Sequence, residues 1–190
     1  WSSRMGTWEL YWQPNFIPRS EVRARHIVTT AHDFSWELYP QFHPQDRIDY
    51  FKKYFYKEIE RSDRVITGSH FIRGELISRL PHLADRTVVI PYGFDNALYS
   101  PTQTTQRRKK YLLSVGSLEP RKNLITLLDA YALLDPKIRQ EHPLYLIGAS
   151  GWKNAEVFKR VEALQGDVRY LGYVSNQELV TYYQEAFCFI

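Results

Sequence analysis

Short apolar runs alternate with amphipathic segments along most of this chain. The runs are rich in Val, Ile and Leu and are bounded by polar or turn-forming residues, so they predict buried strands. They lie at residues 26–31, 64–67, 87–90, 111–115, 144–147, 168–171 and 188–190. Apolar side chains at helical spacing predict helices at residues 46–61, 69–80, 123–134, 155–164 and 176–186. Strands alternating with helices predict parallel sheets covered on both faces, in a doubly wound α/β architecture.

A polar stretch between two of these strands predicts a domain boundary. Residues 101–106 are PTQTTQ and residues 107–110 are RRKK, so this stretch offers almost no apolar side chain to a core. We therefore predict an interdomain linker at residues 96–110, with one domain at residues 1–95 and a second at residues 111–190. The RRKK run can also contact a phosphate or a lipid, and the residues alone leave that alternative open.

The two ends of the chain predict that each domain is only partly present. Residues 1–25 open on an aromatic segment with no leading strand, and the last apolar run ends inside a strand at Ile190. The aromatic segment at residues 8–18 fits either an acceptor groove or a buried core. We therefore expect a fragment of a longer chain.

Composition and charge limit the partners that we expect. The net charge of +4 is weak and no nucleic-acid-binding motif is present, so we predict no nucleic-acid partner. Residues 1–110 carry 17 Lys and Arg against 12 Asp and Glu, which suits an anionic membrane surface, a phosphorylated acceptor or an ordinary solvated surface. The lone Cys188, expected to be buried, favours a reducing compartment. We predict a cytoplasmic protein, with peripheral contact to the inner face of the membrane as a further option.

The loop at residues 115–123, which lies between a predicted strand and a predicted helix, is the clearest candidate for chemistry. It reads VGSLEPRKN, so a glycine follows the strand and two cations, Arg121 and Lys122, precede the helix. A helix N-terminus presents free N–H groups, and the carboxyl end of a parallel strand is where α/β sheets bind ligands. A diphosphate fits this position, and an ordinary surface loop fits it equally well on the residues alone.

The sequence of residues 116–123 resembles the corresponding segment of glycosyltransferase family 4, the retaining enzymes of the GT-B fold. It is most similar to the branch that builds bacterial O-antigen, capsule and exopolysaccharide chains, which includes many mannosyltransferases. Further family-like segments follow in order at residues 30–36 (TAHDFSW), 63–69 (DRVITGS), 89–95 (VIPYGFD), 151–152 (GW) and 171–175 (LGYVS). The resemblance implies a GT-B type α/β fold of two Rossmann-like doubly wound domains, each only partly present here.

The resemblance also implies which residues bind the donor phosphates. Lys122 matches the family lysine that contacts the donor diphosphate, beside Gly116 and Ser117. Ser117 stands where relatives often carry an arginine, so one expected cation is missing. Whether Arg121 replaces that cation is left open by the sequence.

Three further site residues follow from the same resemblance. Tyr173 and Val174 match a loop whose backbone meets the nucleobase, with strand-end packing as the alternative for their side chains. His32 follows a predicted strand and matches a histidine that contacts the transferred sugar or the acceptor, so it is the catalytic candidate. The adjacent Asp33 is expected to orient the loop backbone, and Tyr92 replaces an asparagine that is usual in the family.

The implied reaction moves a sugar, mannose in the matching branch, from a GDP- or UDP-linked donor to a glycan or polyprenyl-linked acceptor with retention. No carboxylate cluster suggests a metal, so we expect no cofactor and a metal-independent transfer. The family's Glu-x7-Glu segment and its opening glycine-rich loop are not in this sequence, so we expect little or no activity from these 190 residues alone. A non-catalytic nucleotide- or partner-binding module and a sugar-nucleotide epimerase of the same fold are the alternatives.

Overall fold

The computed structural model describes residues 6–15, 17–100 and 110–190. The chain divides into two compact units, a first unit of residues 1–93 and a second unit of residues 94–190. Each unit contains a four-stranded sheet in which the neighbouring strands are parallel. The predicted α/β class with parallel sheets is therefore confirmed.

The first unit has the strand order β1-β2-β3-β4. Its strands are β1 (Trp8–Gln13), β2 (Ala24–Ala31), β3 (Arg64–Thr67) and β4 (Thr87–Val89), and its helices are α1 (Ser35–Leu38), α2 (Gln45–Ile59) and α3 (His70–Arg79). Helices α2 and α3 bury Phe55 and Leu76 in a core that includes Val65 of β3. The Ser69 side chain accepts a hydrogen bond from the Ile72 N–H and caps α3, as the sequence predicts.

The opposite face of this sheet is open to solvent. Trp8, Leu10 and Trp12 of β1 are 50%, 58% and 56% exposed, and Ile90 after β4 is 52% exposed. The expectation of cover on both faces is therefore wrong for the described part of this unit. The expectation that residues 1–25 lack a strand is also wrong, because residues 8–13 form β1 by pairing with β2. Every second side chain of β1 is apolar and lies on the open face.

The second unit has the strand order β7-β6-β5-β8. Its strands are β5 (Leu112–Val115), β6 (Leu144–Ile147), β7 (Val168–Gly172) and β8 (Cys188–Phe189), and its helices are α4 (Leu124–Ala132), α5 (Pro136–Glu141), α6 (Ala155–Ala163) and α7 (Asn176–Glu185). Leu128 of α4 and Val157 of α6 pack in one core with Leu146 of β6. A separate core holds Leu113 of β5 with Tyr182 of α7, so this unit is doubly wound as predicted.

Two details of the second unit differ from expectation. A helix that the sequence does not predict, α5, follows the one predicted at residues 123–134; it begins at Pro136, where the Asp135 side chain accepts a hydrogen bond from the Lys137 N–H. Cys188 is exposed and not buried, because it lies on the short outer strand β8, whose two residues both face solvent. Residues 101–109 of the predicted linker lie outside the described residues.

The helices in the described part of the chain are all too short or too polar to cross a membrane.

Gly74 provides a test of the α3 geometry. It is exposed in the interior of α3, and a Cβ atom built on it would meet no atom within 4 Å. Glycine costs a helix interior about 0.5–1 kcal/mol relative to alanine, so Gly74→Ala should raise the free energy of unfolding by about that amount. Urea denaturation followed by circular dichroism measures the change, and a less stable variant would contradict the helix.

Candidate functional site

The loop that follows β5 is held against the neighbouring strand end by backbone hydrogen bonds. The Gly116 N–H donates to the Ile147 carbonyl over 2.8 Å, and the Leu118 N–H donates to the Ala149 carbonyl over 2.9 Å. The Leu118 side chain is 1% exposed and packs in the same core as α4. The loop is therefore fixed at the carboxyl edge of the parallel sheet, the edge at which α/β sheets bind ligands.

Two glycines after β6 let a second loop approach this one closely. A Cβ atom on Gly148, which has φ +147°, would lie 2.2 Å from the Gly116 carbonyl oxygen. A Cβ atom on Gly151, which has φ +66°, would lie 2.5 Å from the Leu118 carbonyl oxygen. Distances this short leave no room for a side chain at positions 148 and 151, so the backbone of these two glycines lies directly against the loop after β5.

Gly116, Ser117 and Lys122 line one small pocket at this edge of the sheet. The pocket has a volume of about 170 Å³, and its remaining wall includes Ser114 and Leu124. A Cβ atom on Gly116 would lie 3.7 Å from the Lys122 Cε atom, so the lysine chain lies beside the glycine. Lys122 is exposed, and its ammonium group can bond an anion there without first leaving a buried partner.

Arg121 is bound to a carboxylate of the same loop, so its guanidinium is not free to meet a phosphate. Its Nη2 atom donates to Glu119 Oε1 over 2.7 Å, and Glu119 is only 2% exposed. Among the described residues, the wall of the pocket contains Lys122 but not Arg121. The two adjacent cations are therefore separated, one at the pocket and one in an ion pair with a buried carboxylate.

Arg121 and Lys122 both lie in a turn of 3-10 helix, Pro120–Lys122, that precedes α4. Asn123 follows with φ 53°, in the left-handed region that asparagine tolerates better than most residues, and α4 begins at Leu124. No side chain in the described ranges caps the backbone of α4. The N–H groups of its first turn, which lack partners within the helix, carry the positive end of the helix dipole.

Tyr173 and Val174 follow β7 and are absent from the described wall of this pocket. Gly172 turns the chain with φ +70°, after which Tyr173 is 82% exposed and Val174 packs in the core with α7. Ser175 and Glu178 then form a capping box that begins α7. The hydrogen bonds from Ser175 lower the pKa of Glu178, so this cap is ionised at neutral pH. The structure therefore brings Gly116, Ser117 and Lys122 together at the pocket, and Tyr173 and Val174 are not among the residues that line it.

His32 follows β2 and has protein partners on both ring nitrogens. Its Nδ1 atom is 2.6 Å from the Tyr92 hydroxyl, and its Nε2 atom is 2.7 Å from the Pro14 carbonyl oxygen. Because a carbonyl only accepts, Nε2 carries a hydrogen, and in the neutral ring Nδ1 accepts the hydrogen of Tyr92. A substrate that bonds to either nitrogen of His32 must therefore take the place of one of these partners.

Tyr92 is fitted against Gly68. A Cβ atom on Gly68 would lie 2.5 Å from the Tyr92 ring, so the glycine leaves room for the ring in this position. Burial, and then the negative charge of Asp33, raise the pKa of Tyr92, so its hydroxyl keeps its proton near neutral pH. Asp33 itself accepts hydrogen bonds from the Ser35 N–H and hydroxyl over 2.9 Å and 2.7 Å, which confirms that it orients the loop.

His32 and Tyr92 belong to the wall of a broad pocket on the open face of the first sheet. The pocket has a volume of about 600 Å³, and its other lining residues are mainly apolar, among them Leu10, Trp12 and Ile66. The aromatic segment of β1 therefore lines a pocket and does not fill a core. Within the described ranges, no three His, Cys, Asp or Glu side chains are grouped as metal ligands. The metal independence of the reaction stays a prediction.

Two residues that shape the smaller pocket were missed by the reasoning from sequence. Glu119 lies in a charged loop that looks solvated, and its place two residues before Arg121 is the only signal of an ion pair. Gly148 was detectable, because the run GASG at residues 148–151 follows a strand and points to close backbone approach.

Replacement of Gly148 tests the close approach of the two loops. Gly148→Ala places a Cβ atom against the Gly116 carbonyl and strains the backbone, so it should lower the free energy of unfolding of the second unit by roughly 1–3 kcal/mol. Gly166→Ala is the control, because Gly166 has φ +102° but open space around it. Urea titration of both variants gives the two losses, and an equal loss would contradict the proposed contact.

Known proteins match this chain in two consecutive parts. Residues 11–98 match the family model of Glycosyltransferase Family 4, and residues 98–190 match that of Glycosyl transferases group 1. The O-antigen chain mannosyltransferase B of Escherichia coli is 35% identical over 193 residues, which cover 95% of this chain and 50% of that protein. The serotype-specific mannosyltransferase WbdA of Escherichia coli is 27% identical over 140 residues, which cover 66% of this chain and 17% of that protein. The chain thus spans at most about half the length of these curated relatives.

Solved glycosyltransferases share the fold. WaaG, a glycosyltransferase involved in lipopolysaccharide biosynthesis, matches with a TM-score of 0.63 and 18% identity over 88% of this chain and 50% of its own. A glycosyltransferase from Rickettsia africae ESF-5 matches with a TM-score of 0.58 and 15% identity over 88% of this chain and 44% of its own. Together with the two family models in sequence, these matches show that the chain belongs to the family 4 and group 1 glycosyltransferases of the GT-B fold.

Proposed function

We propose that the pocket beside Lys122 binds the diphosphate of a nucleotide-sugar donor, and that the protein is a retaining glycosyltransferase. The observation that carries the proposal is the position of Lys122 next to Gly116 and Ser117, at the carboxyl edge of the second sheet. Gly116 and Ser117 at the start of the loop and Lys122 near its end meet around a space of about 170 Å³. The membership of the chain in a glycosyltransferase family supports the same ligand.

The chemistry of the proposed transfer calls for a cation at this place. The bond between the sugar C1 atom and a phosphate oxygen breaks, C1 bonds to the oxygen of the acceptor hydroxyl, and negative charge grows on the departing diphosphate, which takes up the hydroxyl proton. The ammonium group of Lys122 and the first turn of α4 would stabilise that charge as it develops. The Ser117 hydroxyl can donate one further hydrogen bond but supplies no charge.

We propose mannose as the transferred sugar and a glycan or polyprenyl-linked molecule as the acceptor. Two of the relatives are mannosyltransferases by name, and one of these names refers to the O-antigen chain. The donor is then a GDP- or UDP-linked sugar. Lipid-linked acceptors would place the protein at the cytoplasmic face of a membrane, and the exposed Lys52, Lys53 and Lys57 of α2 suit such a surface.

We propose that His32 contacts the sugar or the acceptor. Its ring is held by Tyr92 and Pro14, so the incoming hydroxyl group would replace the Pro14 carbonyl at Nε2 while Tyr92 keeps the ring in place. The transfer needs no metal in this scheme, because Lys122 supplies the charge at the diphosphate.

The role of Lys122 is tested by the affinity for the donor. In the full-length protein, Lys122→Gln should weaken GDP-mannose binding about 10–100-fold, since a charge-assisted hydrogen bond is lost. A thermal-shift titration with GDP-mannose and UDP-glucose reports the affinity, because a ligand that binds the native state raises its melting temperature. Lys137→Gln, at an exposed position on α5, is the matched control and should bind like the wild type. Equal binding by both variants would remove Lys122 from the site.

A protein of these 190 residues alone is expected to have little or no transferase activity. It spans half the length of the O-antigen chain mannosyltransferase that it resembles, and a transition state needs all of its binding groups held in place. A radiolabelled sugar-transfer assay measures the activity, with circular dichroism to show that the second unit is folded. Turnover by this chain with any nucleotide sugar would contradict the expectation.

A further inference from the structure

Glu119 is a buried carboxylate in a loop that the proposed function needs to be ordered. Its side chain is 3% exposed, against 37% for its partner Arg121, and the two are joined over 2.7 Å. Removing a carboxylate from water is unfavourable unless hydrogen-bond donors face it, so the folded loop requires a donor group at this position. Arg121 supplies that donor group, together with a compensating charge, from two residues along the chain.

The same residue also shapes the turn that carries Lys122. The Glu119 carbonyl accepts a hydrogen bond from the Lys122 N–H over 3.0 Å, and the Pro120 carbonyl accepts one from the Asn123 N–H over 3.0 Å. Successive side chains of a 3-10 turn diverge by about 120°, because the turn contains 3.0 residues. With Arg121 drawn to the Glu119 carboxylate, Lys122 is directed elsewhere, and it lies beside Gly116.

We propose that Glu119 is a positioning residue that holds Arg121 away from the donor, so that Lys122 is the cation that meets the diphosphate. This inference rests on the proposed function, because it assigns roles within the same donor site. It predicts a loop with one working cation, although its sequence carries two adjacent ones. A point charge on a flexible stem then contacts the diphosphate, in place of a guanidinium that would grip it in two fixed bonds.

Single substitutions at positions 119 and 121 should have different effects on the rate of sugar transfer. Glu119→Gln keeps the shape of the side chain but removes its charge, so only a neutral amide oxygen holds Arg121 and the guanidinium can be drawn to the diphosphate. We expect kcat for sugar transfer to fall about tenfold, because the guanidinium then holds the donor away from its productive position. Arg121→Gln should lower both kcat and kcat/KM only about threefold, because its amide still donates to the Glu119 carboxylate and holds the turn.

The double variant separates positioning from a merely structural role. In Glu119→Gln with Arg121→Gln, no guanidinium is left to compete and the two amides can bond to each other. We expect the second substitution to raise kcat from the level of Glu119→Gln to that of Arg121→Gln alone. Such a rescue is a coupling between neighbours that independent effects on folding would not produce.

The experiment measures kcat and KM for the nucleotide-sugar donor in the full-length protein, with Lys122→Gln as the reference variant. An Arg121→Gln variant as impaired as Lys122→Gln would make Arg121 a donor ligand and overturn the inference. Failure of the double variant to recover would also overturn it. If Lys122→Gln has wild-type kinetics, the proposed function itself fails, so the two failures are distinguishable.

Folding of each variant is checked by its melting temperature without ligand. If Glu119→Gln does not fold at the assay temperature, the comparison of Arg121→Gln with Lys122→Gln decides the question alone. The inference requires the lysine variant to lose about tenfold or more beyond the arginine variant in kcat/KM. A smaller difference would contradict it.

Discussion

The contact between two loop backbones at the carboxyl edge of the second sheet determines where the candidate site can form. The Gly116 N–H donates to Ile147 at the end of β6, and the Leu118 N–H donates to Ala149 just after it. Glycines 148 and 151 leave no side chain between the two backbones. With the loop held in this way, its Leu118 side chain is buried in the core and its Lys122 side chain lies beside Gly116. A side chain at position 148 would displace the carbonyl of Gly116, which lies next to Ser117 and Lys122 in the wall of the pocket.

A glycine plays a related part in the first unit. Gly68 after β3 leaves space for the ring of Tyr92, and Tyr92 in turn donates to His32 after β2. In both units a residue without a side chain at one strand end lets a neighbouring segment place a polar group at the next strand end. Parallel sheets favour this arrangement, because the carboxyl ends of adjacent strands lie along the same edge.

The sequence predicts the strands and helices well and the site only in part. Buried strands such as β6 are apolar throughout, and α4 has a regular apolar stripe, so periodicity identifies them. β1 is missed by a search for continuous apolar runs, because Trp8, Leu10 and Trp12 occur at every second position; that period-two spacing is itself a strand signal. Lys122 was predicted from resemblance and lies at the pocket, whereas the separation of Arg121 from it was not predictable. That separation depends on the burial of Glu119, which is set by the fold around the loop and not by any local pattern.

The most direct test of the donor site is a crystal structure of the full-length protein with GDP or UDP bound. A phosphate oxygen should lie within hydrogen-bond distance of the Lys122 Nζ atom, at about 2.7–2.9 Å, with Arg121 still paired to Glu119. A diphosphate bound elsewhere, with no phosphate oxygen within reach of Lys122, would contradict the account.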